Sequence, residues 1–143
     1  GTLLVGGAYL DASVGQVVEL ALLHRLGADG VDPRMPSKWS RAAVRAMAHW
    51  AAFPSWYWPV GQALELAIVA HRFAVGYDWL FDVLSPADRA MALNAIVARA
   101  LEPARHNYRE GMWWTRDIYN WNLVSNGGMV PAALALQHRT PPQ

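Results

Sequence analysis

Leu84-Ser85-Pro86-Ala87-Asp88-Arg89 is the clearest helix start in this chain. Ser85 can cap the helix, Pro86 fits a first turn where its missing N–H costs nothing, and Asp88 places a carboxylate near the positive helix end. The helix so opened is expected to reach about Leu101 or Ala104. Upstream, a third helix is read from Pro59 to Val83, after an aromatic loop, Pro54-Ser55-Trp56-Tyr57-Trp58-Pro59. Ala63 to Phe81 is the longest apolar stretch, but Glu65, His71, Arg72 and Asp78 interrupt it too often for a membrane-spanning helix.

Further upstream, Leu10, Val14, Val17, Val18, Ala21 and Leu22 recur at three- and four-residue steps, which predicts a helix over Ala8 to Leu26 stopped by Gly27. Ala28 to Pro36 is a turn cluster, and Ser37 can cap a second helix through about Phe53, with Trp39, Ala43, Met47 and Trp50 inward. Downstream, His106 to Tyr119 shows neither helical nor strand period and is read as a loop. Trp121 to Leu136 is a fifth helix, expected to be irregular or kinked because Pro131 crowds the carbonyl of Gly127. No segment alternates with period two. The expected class is all-α, built of antiparallel helical hairpins.

At 143 residues, with 12 Lys+Arg against 11 Asp+Glu, the chain is one domain long and carries a net charge of +1. A strongly basic nucleic-acid binder is thereby excluded. The 54% hydrophobic and 16% charged content excludes a disordered chain. Zero cysteines exclude a disulfide framework, a thiolate metal site and a cysteine nucleophile. Five histidines, at 24, 49, 71, 106 and 138, lack metal-ligand spacing, so no metal or other cofactor is expected. Phosphate-loop, dinucleotide and serine-hydrolase motifs are absent too. Eight Trp are the compositional excess, where roughly two would be ordinary.

The densest polar and aromatic stretch is Trp113-Trp114-Thr115-Arg116-Asp117-Ile118-Tyr119-Asn120-Trp121-Asn122. Indole faces stack on the C–H faces of sugars, while amides and a guanidinium bond hydroxyls or carboxylates, a combination suited to an acidic polysaccharide. The same residues also admit a structural reading, with indoles plugging helix ends and Asn120 as an N-cap. Asp78 and Asp82, or Asp117, could serve glycoside hydrolysis; Asp78 could equally be held in structural hydrogen bonds.

Asn120-Trp121-Asn122-Leu123-Val124-Ser125-Asn126-Gly127-Gly128-Met129 resembles the NNWNxVCNGG signature of heparinase II/III-like polysaccharide lyases, within their N-terminal helical toroid. Ala74-Val75-Gly76-Tyr77-Asp78-Trp79-Leu80-Phe81-Asp82, then Leu84-Ser85-Pro86 and Arg89, is similar to another stretch of that family, and Leu101-Glu102-Pro103 and Trp113-Trp114 follow in the same order. The resemblance spans Trp56 to Leu136. Two departures stand out: Tyr119 takes the place of the first Asn of the pattern, and Ser125 that of the Cys.

The resemblance implies an incomplete (α/α) toroid that presents a groove to a uronic-acid-containing glycan cleaved by β-elimination. A donor must stabilise the charge that develops on the uronate carboxylate, and a Tyr or His must move the protons. By position Asn120 is the carboxylate-facing amide with Asn122 second, and Trp113, Trp114, Arg116, Tyr119, Trp121 and Tyr77 would bind substrate. The family's catalytic Tyr and His match no residue of this chain and are expected on a later hairpin and a downstream β-sandwich domain. Residues 1–143 are accordingly expected to be a single helical domain cut from a larger toroid, beginning at Gly1 without Met. A periplasmic or secreted location, no membrane partner and self-association through an exposed hairpin face complete the expectation. The alternative is a non-catalytic helical module that binds glycan or protein.

Overall fold

The computed structural model describes residues 7–56 and 63–137, the first seven of them as backbone only. Among these residues the protein is all-α, with no strand: α1 (Gly7–Arg25), α2 (Lys38–Ala51), α3 (Ala63–Leu80), α4 (Pro86–Ile96), α5 (Glu102–Arg109) and α6 (Asn120–Gln137). Three-residue and four-residue 3-10 turns cover Phe81–Val83 and Trp113–Arg116, and a π turn, Val97–Leu101, joins α4 to α5. The expected start of the third helix at Pro59, with Tyr57 and Trp58 before it, lies outside the described residues.

Local chemistry sets the helix ends. Gly27, at φ 61°, closes α1 with its amide on the His24 carbonyl and that of Ala28 on Leu23, a left-handed stop that costs glycine nothing. Ser37 caps α2 by accepting from the amides of Trp39 and Ser40, and Ser40 Oγ accepts from the Ser37 amide in return. Ser40 therefore occupies the buried face of α2 with Ala43, Met47 and Trp50, and the expected inward residue Trp39 is only half-buried. Ser85 caps α4 through the Asp88 amide at 3.1 Å and donates to the Asp88 carboxylate at 2.6 Å.

One expectation is corrected. The helical rod begun at Pro86 does not stop near Ala104 but continues to Arg109, into the stretch read as loop. Pro103 would crowd a regular α-turn; the chain widens instead, with the Glu102 amide bonding the Val97 carbonyl five residues back. Pro131 stands inside α6, which runs through it. The carbonyl that Pro131 leaves without an amide is that of Gly127, an exposed residue where water can serve instead.

The core is assembled around α3, which packs against α1 and most extensively against α6; α2 packs on α1 and also meets α4. Phe73, Ala74, Tyr77 and Leu80 of α3 are fully enclosed, with Val14, Val17 and Ala21 of α1 and Met47 and Trp50 of α2 in the same cluster. Leu22, expected inward, is 43% exposed. Missing side chains permit the closest approaches. A Cβ on Gly76 would strike Val17 of α1, and one on Gly128 would lie 2.6 Å from the Cα and carbonyl carbon of Ala67 in α3. Further along, Pro131, Leu134 and Ala135 face Ala74, Val75, Asp78 and Trp79. Residue numbers rise together on both sides, so α3 and α6 run in the same direction.

One side of α6 is left uncovered. Leu123 (74% exposed), Val124, Gly127, Val130 and Leu134 form an apolar stripe at helical spacing, and none of the 18 residues of α6 is charged. A helix apolar all round is ordinarily buried all round. Among the described residues no helix is long and apolar enough to cross a membrane.

Candidate functional site: the amide and indole rim at the start of α6

The rim is built where α5 ends and α6 begins. Gly111, at φ 63°, turns the chain out of α5; its bare Cα admits the Arg116 guanidinium, whose Nη2 would lie 2.9 Å from an added Cβ. Trp113–Arg116 then forms its 3-10 turn, with the Thr115 amide and hydroxyl both on the Met112 carbonyl at 2.9 and 2.7 Å. Asn122 ties this turn to α6. Its Nδ2 donates to the carbonyls of Thr115 at 2.9 Å and Trp114 at 3.3 Å, while its Oδ1 accepts from Asn126 Nδ2 at 3.1 Å.

Those bonds separate the expected site residues into two groups. Asn122 spends its amide hydrogens on the turn, so it positions the rim and is not free to meet a carboxylate. Trp114 is 0% exposed and stands edge-on to Tyr108 at 5.3 Å between ring centroids. Tyr77 is likewise 0% exposed, deep in α3 and edge-on to Phe81. Neither ring offers a face to a glycan; both were expected to bind substrate, and burial of their large apolar surface places them in the packing instead.

The outward group is different. Asn120 is exposed in the first turn of α6, where unpaired amides and the helix dipole favour an anion. Since α6 starts at Asn120, the residue stands inside the helix rather than at the flanking cap position. Trp113, 53% exposed, meets half-buried Trp121 at 5.1 Å with rings inclined by 62°. Tyr119 is 69% exposed and Arg116 is exposed beside them. Trp113 and Trp121 are thus brought together, and Arg116, Tyr119 and Asn120 are exposed in the same stretch of chain, with Ile118, 87% exposed, beside Tyr119 in sequence.

Sequence reasoning missed two supporting residues. Asn126 fixes Asn122, and the i, i+4 spacing of the two asparagines was the available signal. Tyr108, whose phenol burial pushes upward from its ordinary range, backs Trp114; its place on α5 was hidden by the loop reading. Polar atoms without hydrogen-bond partners in the described structure include Trp114 Nε1, Asn107 Nδ2 and Ser125 Oγ, all on buried residues. Ser125 stands where the resembling pattern carries a thiol, a group with a far weaker need for partners.

Other candidate chemistry lies elsewhere. A depression of about 240 Å³ is lined by Ala74, Val75, Asp78, Trp79, Pro131, Leu134 and Ala135. Ala135 is about 22 Å along α6 from Asn120 at the standard helical rise. Asp78 therefore sits toward one end of α6 and Asp117 just before the other, while Asp82, expected on one helix face with Asp78, falls in the 3-10 turn after α3. Among the described residues no group of three His, Asp or Glu could hold a metal ion. No protein-family model matches the chain, and no curated protein does.

Proposed function

We propose that the chain supplies the glycan-binding rim and the carboxylate-facing amide of a polysaccharide lyase acting on a uronic-acid-containing glycan by β-elimination. The observation that carries this reading is the exposed Asn120 amide at the N-terminal turn of α6, beside the Trp113 and Trp121 indoles. In β-elimination the proton removed lies next to the uronate carboxylate, so charge flows onto that carboxylate in the transition state. An amide N–H and the positive helix end then bind the transition state more tightly than the ground state. The indoles hold the sugar rings, and Arg116 takes a neighbouring acid group. A tyrosine or histidine transfers the protons, and the resemblance puts that pair outside this chain.

The packing supports the toroid part of the proposal. Helices α1, α3 and α6 adjoin through α3, α3 and α6 run the same way, and α2 and α4 meet each other beside them. Alternating membership in two helical layers is what successive hairpins of an (α/α) ring require. The bare stripe on α6 is then the seat of a further helix, or of a second copy in self-association. Periplasmic or secreted location follows only from the nature of such a substrate.

Incubation of uronate polysaccharides with a longer chain that also carries the proton-transferring tyrosine or histidine, followed by ultraviolet detection of an unsaturated uronate, tests the reaction. Product formation that Asn120→Ala abolishes supports the lyase. Binding without product favours the second reading, a non-catalytic glycan-binding module, for which the structural use of Asn122 and Trp114 is the specific support. Saturated products would point to hydrolysis.

A further inference from the structure

Helix α2 carries a row of basic residues of one sign on the described surface. Lys38, Arg41, Arg45 and His49 recur at steps of three and four, all are exposed, and the helix contains no acidic residue. Its opposite face, Ser40, Ala43, Met47 and Trp50, is buried. Neither Arg41 nor Arg45 nor Lys38 has a carboxylate partner among the described residues, whereas Arg34 pairs with Asp32 and Arg105 with Glu102 at 2.5 Å. Like charges at this spacing repel and weaken a helix. The stripe therefore carries a repulsion that no carboxylate among the described residues offsets, although the whole chain carries only +1.

The cations are partly ordered. Lys38 Nζ lies 4.7 Å from the Trp39 ring centroid, and Arg41 donates to the Pro36 carbonyl at 3.3 Å. Arg99 donates to the Phe53 carbonyl just beyond the C-terminal end of α2, which adds a cation there. From Lys38 to His49 the row extends about 16 Å at the standard helical rise, a straight track for a linear polyanion. A membrane surface fits less well, because the apolar face of α2 is turned into the core and has nothing to insert. Single-stranded nucleic acid calls for stacking platforms among the cations, and of the two rings on this face Trp39 is half-buried beneath Lys38 and His49 stands edge-on to Trp50 and Phe53.

We propose that Lys38, Arg41, Arg45 and His49 form a docking track for an acidic polysaccharide, separate from the rim around Asn120. The identity of the polyanion rests on the lyase reading above; the existence of the track does not. Its role is to retain the polymer between events at the rim.

The test is the affinity of the chain for oligogalacturonate of defined length across a salt series, with duplex DNA and anionic phospholipid vesicles in parallel. Arg41→Gln/Arg45→Gln is compared with Trp113→Ala/Trp121→Ala. The expected result is about tenfold weaker binding for the arginine pair and a shallower dependence of log affinity on log salt, by about 1 to 2. The tryptophan pair should weaken binding with its salt slope unchanged. The glutamines relieve repulsion on an exposed face, so a melting temperature that is unchanged or slightly raised will show an intact fold. Unchanged affinity and slope for the arginine pair, or no binding by the unaltered chain, overturn the track. If only the arginine pair matters, the track stands and the rim reading falls; if only the tryptophan pair matters, the reverse holds. Equal binding of DNA or vesicles with the same arginine dependence overturns the polysaccharide assignment.

Discussion

Adding one methyl group at either of two adjacent glycines should move stability in opposite directions. Gly127 is exposed, and a Cβ built on it meets nothing within 4 Å; Gly128 is buried, and its Cβ would press on the Ala67 backbone of α3. Neither has a positive φ, so alanine suits both backbones. At Gly127 the substitution removes only the entropic penalty of glycine in a helix and should stabilise by about 0.5–1 kcal/mol. At Gly128 the same gain is opposed by overpacking, typically about 1–3 kcal/mol. The neighbour is backbone, which cannot rotate aside, so the upper end applies and a net loss of about 2 kcal/mol is expected. The two variants should differ by about 3 kcal/mol, near 9 °C in melting temperature at about 3 °C per kcal/mol for a chain of this size. Urea denaturation and thermal scans read both. Equal shifts would refute the close α3–α6 approach and the parallel register derived from it.

Three further expectations follow from the same geometry. Ser37 Oγ already accepts two amides, so its proton goes to His24 Nδ1 at 3.0 Å, which holds the buried imidazole neutral. Burial accordingly lowers the His24 pKa from its ordinary 6.5, above the opposing influence of Asp29. Because the unfolded chain takes up that proton first, stability is full above pH 6.5 and falls as pH drops below it, until the folded imidazole protonates in turn. Denaturation curves between pH 7.5 and 5 check this, with His24→Gln losing the contribution. Replacing Ser125 by Ala or Cys removes a buried hydroxyl without a partner and should stabilise by about 1 kcal/mol in urea melts; destabilisation would mean the hydroxyl is satisfied. On α6, a stripe of this size should drive weak self-association at micromolar to millimolar concentration, and Val130→Lys/Leu134→Glu should abolish it in sedimentation velocity.

The helices were largely legible because their signals are local. Ser37, Ser85-Pro86 and Gly27 act within one turn of themselves, and the structure uses each as its chemistry dictates. What escaped was decided at a distance or by small residues. The extension into α5 buries Ala104 and Asn107 rather than large apolar side chains, so no hydrophobic period announces it. The π turn that accommodates Pro103 depends on a bond five residues back, which no residue type signals.

At the rim, the sequence grouped residues 113–122 as one stretch but could not divide them. Adjacent Trp113 and Trp114 have identical side chains and opposite fates, 53% and 0% exposed, because a 3-10 turn points successive residues in different directions. Asn120 and Asn122 are similarly parted: one is exposed, the other pinned by carbonyls seven and eight residues upstream. Tyr77 shares a helix with exposed Asp78, and only the packing of α3 tells which of them turns inward.

The central claim is that the Asn120 amide receives a sugar carboxylate. Calorimetric titration with a uronate oligosaccharide and with its carboxyl-reduced counterpart, for the unaltered chain and for Asn120→Ala, measures this without any proton-transfer residue. The unaltered chain should prefer the acid by about tenfold, a hydrogen bond to a charged group being worth about 1.5–3 kcal/mol, and Asn120→Ala should lose most of that preference, keeping only what Arg116, the helix end and the α2 cations contribute. An unaltered chain that does not distinguish the two sugars, or an alanine variant that keeps the full preference, would contradict it.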